Sequence, residues 1–128
     1  MKKQETYTIS ELAGELRIRP STIRYYEKIG LIKPERKKGK HRSFTRKDRA
    51  RLKLILRGKR FGATLDQVGE MIGRPGAPMS ELSQIRTSLR YIELKLDDIS
   101  GQKKDLEQFQ SDLLNLKKTL LKRRRELS

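Results

Sequence analysis

The chain has 128 residues, 34% of them hydrophobic and 38% charged, which leaves room for one small core and an exposed appended element but is too polar for a large one. It holds no cysteine and a single histidine, His41, so disulfides, thiol catalysis and thiolate metal sites are excluded, and neither a metal nor a cofactor is expected. The net charge is +16, and residues 33–60 alone carry 14 Lys/Arg against 2 Asp/Glu, a concentration that points to a polyanionic partner and above all to nucleic acid.

No run approaches the ~18 apolar residues that a bilayer span needs, and no signal-peptide pattern opens the sequence. No membrane association and a cytoplasmic location are therefore the expectation.

Four helix starts can be read from their caps. Thr8-Ile9-Ser10-Glu11 is a capping box, with Ile9, Leu12, Ala13 and Leu16 forming an apolar stripe behind it. Pro20 suits the first position of a second helix, and Gly30 suits the left-handed residue after its end. Between the second and third helices, Ile32-Lys33-Pro34 and Arg42-Ser43-Phe44 flank a basic loop with Gly39 as a turn, which predicts a two-stranded wing. Thr45-Arg46-Lys47-Asp48 opens a third helix with Leu52, Ile55, Leu56 and Lys59 on one face, and Gly62 stops it. Thr64-Leu65-Asp66-Gln67 opens a short fourth helix bearing Leu65, Val68 and Ile72. Two short helices joined by a tight turn, followed by a hairpin, describe a winged helix-turn-helix.

Gly73-Arg74-Pro75-Gly76-Ala77-Pro78 breaks the helical pattern. The domains are accordingly read as 1–73 (winged helix-turn-helix), 74–78 (linker) and 79–128 (dimerisation helix). In the last segment Leu82, Ile85, Leu89, Ile92, Leu96 and Ile99 alternate at three and four residues, the seam of a coiled coil. Leu106, Phe109, Leu113, Leu116 and Leu120 keep that alternation. The step between the two runs brings Lys103 into the seam, or Gln102 after a shortened repeat. Ser100-Gly101 lies at this discontinuity, and since Gly costs a helix ~1 kcal/mol relative to Ala, a bend or slackening is expected there. Intermolecular pairing is the favoured way to bury the seam; a helical hairpin folding back on itself is the alternative.

Ser21, Arg24, Tyr25 and Lys28 fall at i, i+3, i+4 and i+7 of the second helix and share a face, whereas Ile23 and Tyr26 point toward the first helix. A guanidinium, an ammonium and two hydroxyls suit phosphate and base-edge hydrogen bonds in a major groove. Arg17, Arg19 and Thr22, in and beside the preceding turn, join the candidate DNA contacts. In the wing, Lys37, Lys38 and Lys40 can neutralise phosphates, His41 is read as a polar contact and not a pH switch, and Arg42 beside Phe44 can make a fixed contact. No carboxylate, His or Ser stands paired with a base as catalysis would require, so the chain is not expected to be an enzyme.

The order "YTISELA", "STIRYYEKIGLI", "HRSF" and "LKLILRGKRFGATLDQVGEMI" resembles the MerR family of bacterial transcription regulators across nearly the whole chain. The resemblance implies a mainly α fold: a winged helix-turn-helix followed by a long helix that forms an antiparallel coiled-coil dimer. It also implies two-fold binding to a pseudo-palindromic promoter operator, with RNA polymerase as the partner there and altered DNA geometry as the means of control. By position, Arg24 and Tyr25 take the family's recognition-helix contacts and Arg42 takes the wing arginine. Arg17 stands where a glycine or similar turn residue is usual, Arg19 replaces the common Ser/Thr cap, and His41 replaces the wing tyrosine. The resemblance further implies a small member without the effector domain of drug sensors, and names no inducer. The tract "RLKLILRGKRFG" is similar to a subgroup associated with branched-chain and fatty acyl catabolism. Two other functions compete: an excisionase-like architectural factor, which the long helix argues against, and a basic coiled-coil adaptor docking on acidic membrane or protein.

Overall fold

A computed structural model of the protein describes residues 6–36 and 41–128. Its elements, in chain order, are β1 (Thr6–Tyr7), α1 (Ile9–Leu16), α2 (Pro20–Lys28), β2 (Glu35–Arg36), β3 (Arg42–Thr45), α3 (Arg46–Arg60), α4 (Leu65–Ile72), β4 (Gly73–Arg74), β5 (Ala77–Pro78) and α5 (Glu81–Leu127). The fold is mainly α, an N-terminal winged helix-turn-helix followed by a long helix.

The predicted caps act as the chemistry requires. Thr8 Oγ1 accepts from the Glu11 amide at 3.1 Å while the Glu11 carboxylate accepts from the Thr8 amide at 2.9 Å. The same reciprocal boxes join Thr45 to Asp48 and Thr64 to Gln67. Each satisfies two backbone N–H groups that the helix leaves without partners. α1 ends at Arg17, whose φ of 56° puts it in the left-handed region; it is the only such non-glycine among the described residues. α2 begins with Pro20 at its first turn and ends where Gly30, at φ 81°, lets the Leu31 amide bond the Tyr26 carbonyl and the Gly30 amide bond that of Glu27.

The sequence reading places the first wing strand at residues 32–34; the paired residues are Glu35 and Arg36, opposite Ser43 and Arg42. Leu31, Ile32 and Pro34 are buried instead. An apolar stretch is worth more against the core than in a two-residue edge ladder. β3 also pairs with β1, so the sheet has the order β1-β3-β2. A two-residue strand is too short to leave a periodic signal, and β1 was not anticipated. Gly39, the expected turn, lies outside the described residues.

The core gathers Leu12, Ile23, Leu31, Phe44, Leu52, Ile55 and Val68. On α3, Leu52 and Ile55 are buried and Leu56 partly so, but Lys59, placed on the same face by spacing, is exposed. α3 and α4 pack so closely that a Cβ on Gly58 would come within 2.8 Å of Val68 Cγ2. The six-residue breaker is itself ordered as a hairpin: Gly73 pairs with Pro78 and Arg74 with Ala77.

Backbone proximity divides the chain into two units, Met1–Thr87 and Ser88–Ser128. The first turns of α5 thus belong with the winged unit. There Gln84 donates to the carbonyls of Ile72 and Met79, each at 3.2 Å. The second unit is purely helical, and α5 runs unbroken through Ser100 and Gly101 for 47 residues, roughly 70 Å. The helical ladder therefore holds where slackening was expected. No residue of α5 is buried.

Candidate nucleic-acid interface

α2 presents two faces. Ile23 and Tyr26 are 0% and 6% exposed, anchoring the helix on the core, and burial pushes the Tyr26 phenol above its ordinary pKa. On the other side Ser21, Arg24, Tyr25 and Lys28 are exposed and Thr22 is half-buried. The adjacent tyrosines therefore do separate work: Tyr25 is 50% exposed and tilts against the packed Tyr26 ring, 6.4 Å between centroids. Arg17 and Arg19 are exposed in the turn that enters α2. Arg19 caps α2 with no side-chain bond, so its charge is not spent on the helix end.

Across from α2, His41 is exposed and Arg42 half-buried at the start of β3. Lys37, Lys38 and Lys40 lie outside the described residues. The Arg42 guanidinium, read as making a fixed contact, donates through Nε to Glu27 Oε2, while Arg36 Nη2 donates to Glu27 Oε1 at 2.9 Å. The sequence reading gave Glu27 no role. The signal was there, because it is the one carboxylate in a helix that otherwise displays cations and hydroxyls.

Two further features escaped the sequence reading. The last turn of α3 carries exposed Arg57, Lys59 and Arg60, three cations that the sequence reading did not count among the candidate contacts. Behind the interface, Arg51 donates to the carbonyls of Leu31, Ile72 and Gly73, tying the end of α2 to the end of α4. Burial, and then the nearby Arg74 charge, lower the Arg51 pKa from its ordinary value, with Asp48 opposing. Its clue was an arginine one turn from Ile55, at the edge of an apolar stripe.

A winged helix-turn-helix with an outward cationic helix face defines the class: a DNA-binding protein. Comparison with known proteins makes it specific. Residues 7–74 match the model described as MerR HTH family regulatory protein, and residues 49–116 match MerR, DNA binding. The mercuric resistance operon regulatory protein of Bacillus cereus is 31% identical over 112 residues, covering 87% of this chain and 83% of that protein. The transcriptional regulator ZntR of Escherichia coli is 31% identical over 107 residues, covering 79% and 76%. Among solved structures, a MerR-family transcriptional regulator from Bacillus cereus superposes with a TM-score of 0.57 at 27% identity, covering 80% of this chain and 75% of that one. HiNmlR, a MerR family regulator lacking the sensor domain and bound to promoter DNA, gives 0.55 at 26% identity, covering 81% and 77%. The chain belongs to the MerR family and is a DNA-binding transcription regulator of that type.

Proposed function

We propose that the chain acts as a homodimer that reads a pseudo-palindromic promoter operator, with α2 in the major groove of each half-site and the wing on the flanking backbone. The observation that carries the dimer is the seam itself. The eleven side chains from Leu82 to Leu120 named above are 45–67% exposed on a helix that buries none of its residues. An apolar stripe of that length must be covered by something, and a second copy matches it by symmetry. An antiparallel pairing holds two heads at a fixed separation, which a two-fold operator reflects as half-site spacing.

In this reading residues 1–73 bind DNA, 74–78 connect and 79–128 dimerise. The protein works in the cytoplasm, not as an enzyme, and alters promoter geometry so that RNA polymerase engages it differently. Arg17, Arg19, Ser21, Thr22, Arg24, Tyr25 and Lys28 make the groove and adjoining phosphate contacts. Lys37, Lys38, Lys40, His41 and Arg42 serve the wing, and Arg57, Lys59 and Arg60 add phosphate contacts. A regulator whose relative is solved on promoter DNA makes this reading stronger than that of an adaptor on acidic protein or membrane.

Genome-wide footprinting of the purified protein, with its mass measured by ultracentrifugation, tests both halves. The expected result is a few protected promoter sites with internal two-fold symmetry and a mass of two chains. Uniform protection, or a monomer, overturns the proposal.

A further inference from the structure

Glu27 is anomalous where it stands. It lies on the helix that faces DNA in the reading above, and a carboxylate beside a polyanion opposes binding. Its side chain is only 18% exposed and bonds two guanidinia, those of Arg36 and Arg42. These two arginines are direct partners across β2 and β3, the last described pair before the wing tip. Like charges opposite one another destabilise an antiparallel ladder. Without a carboxylate between them, Arg36 and Arg42 would push the root of the wing apart. With it, the repulsion across the strand pair is offset and the pair is also tied to α2, fifteen residues earlier than Arg42 in the chain.

We propose that Glu27 is a positioning residue for DNA reading. It locks the wing arginines to the recognition helix, so that groove and backbone contacts are presented as one rigid set. A guanidinium has five N–H donors, and Arg42 engages Glu27 through Nε, which leaves donors for phosphate. The device uses a locally repulsive charge to fix geometry, so its loss has opposite effects on specific and non-specific binding. Removing a negative charge strengthens the sequence-independent attraction; releasing the wing weakens only the contacts that need a set geometry.

The proposal rests on α2 being the reading helix, and the experiment separates the two. A duplex selected by the wild-type full chain from a random-sequence pool is compared with a shuffled duplex of the same composition, by fluorescence anisotropy at fixed salt. Glu27→Gln should bind the selected duplex about tenfold more weakly, or worse, and the shuffled one equally or more tightly. In an Arg42→Met background, Glu27→Gln should add little further loss, because the two act through one contact. Equal tightening on both duplexes, or fully additive losses, overturns the proposal. Should Glu27→Gln fold poorly by circular dichroism, Glu27→Asp keeps the charge but withdraws the carboxylate by one methylene. It should lower the selected-to-shuffled ratio as well, and an unchanged ratio overturns the proposal. Arg24→Ala on the same duplexes is the control for α2: if it leaves the ratio intact, the reading of the helix fails, whatever Glu27 does.

Discussion

The Arg51 guanidinium donates through Nε to the Leu31 carbonyl, 2.5 Å away, and so joins the centre of the core helix α3 to the turn that ends α2. The same group holds the Ile72 and Gly73 carbonyls, and Ile72 also accepts from Gln84 at the start of α5. Three carbonyls, at the end of α4 and just beyond α2 and α4, are thereby bonded by one cation. Arg51→Met keeps the apolar stem and removes every bond. Hydrogen bonds to charged groups contribute about 1.5–3 kcal/mol each, with partial recovery by water at a half-buried site. A loss of about 2–4 kcal/mol in urea unfolding at fixed protein concentration is expected. A change within experimental scatter would show the cluster to be incidental.

Arg17 carries a positive φ of 56° without being glycine. The left-handed region costs an L-residue roughly 1–2 kcal/mol, so Arg17→Gly should stabilise the fold by about 1 kcal/mol after the extra freedom of glycine in the unfolded chain is counted. In the proposed reading the exposed Arg17 guanidinium at the entrance to α2 contacts DNA, and the same variant should bind duplex DNA less tightly. Greater stability with unchanged affinity would mean that Arg17 contributes nothing to binding.

Recognition and affinity should separate between helix and wing. Arg24→Ala is expected to weaken the selected duplex far more than random duplex. Lys37→Gln and Lys38→Gln should weaken both alike and reduce the slope of log K against log salt by about one unit per lost phosphate contact. Equal losses on both duplexes for Arg24→Ala would remove it from sequence reading.

The seam makes a direct prediction. Leu89 is 55% exposed in the single chain and central to the first apolar run. In the proposed dimer, Leu89→Glu puts a carboxylate into the seam, where it has no partner, and should convert the protein to monomer in sedimentation equilibrium. Persisting dimer mass would place the interface elsewhere on α5.

Arg49 forks onto Glu15, with Nε–Oε2 at 2.8 Å and Nη2–Oε1 at 2.6 Å, joining α3 to α1. The bond to Arg49 lowers the Glu15 pKa from its ordinary value. A depressed carboxylate contributes stability above its unfolded pKa, about 4.3, and loses it as pH falls through the folded value. The stability difference between wild type and Glu15→Gln should therefore be present near neutrality and vanish in acid. The pair is exposed, so it should also shrink with salt. A difference that grows toward low pH would reverse the assignment.

Much of this molecule is written locally. Capping boxes at Thr8, Thr45 and Thr64, Pro20 at the start of α2 and Gly30 beyond its end act within four residues of themselves, which is why helix boundaries were legible in sequence. The outward face of α2 and the seam of α5 follow from helical periodicity alone, and the charge that points to DNA follows from composition. What required the tertiary structure joins residues far apart in the chain. β1 pairs with β3 across 37 residues from Tyr7 to Phe44 and 39 from Thr6 to Thr45, a register no local pattern encodes. Burial of Leu31, Ile32 and Pro34 moved the wing strand to Glu35 and Arg36. Glu27 found Arg36 and Arg42, and Arg51 found its three carbonyls, because packing fixes where long polar side chains can reach. Short-range hydrogen bonds and periodic burial are properties of a segment; the pairing of a charge is a property of the space that the other segments leave around it.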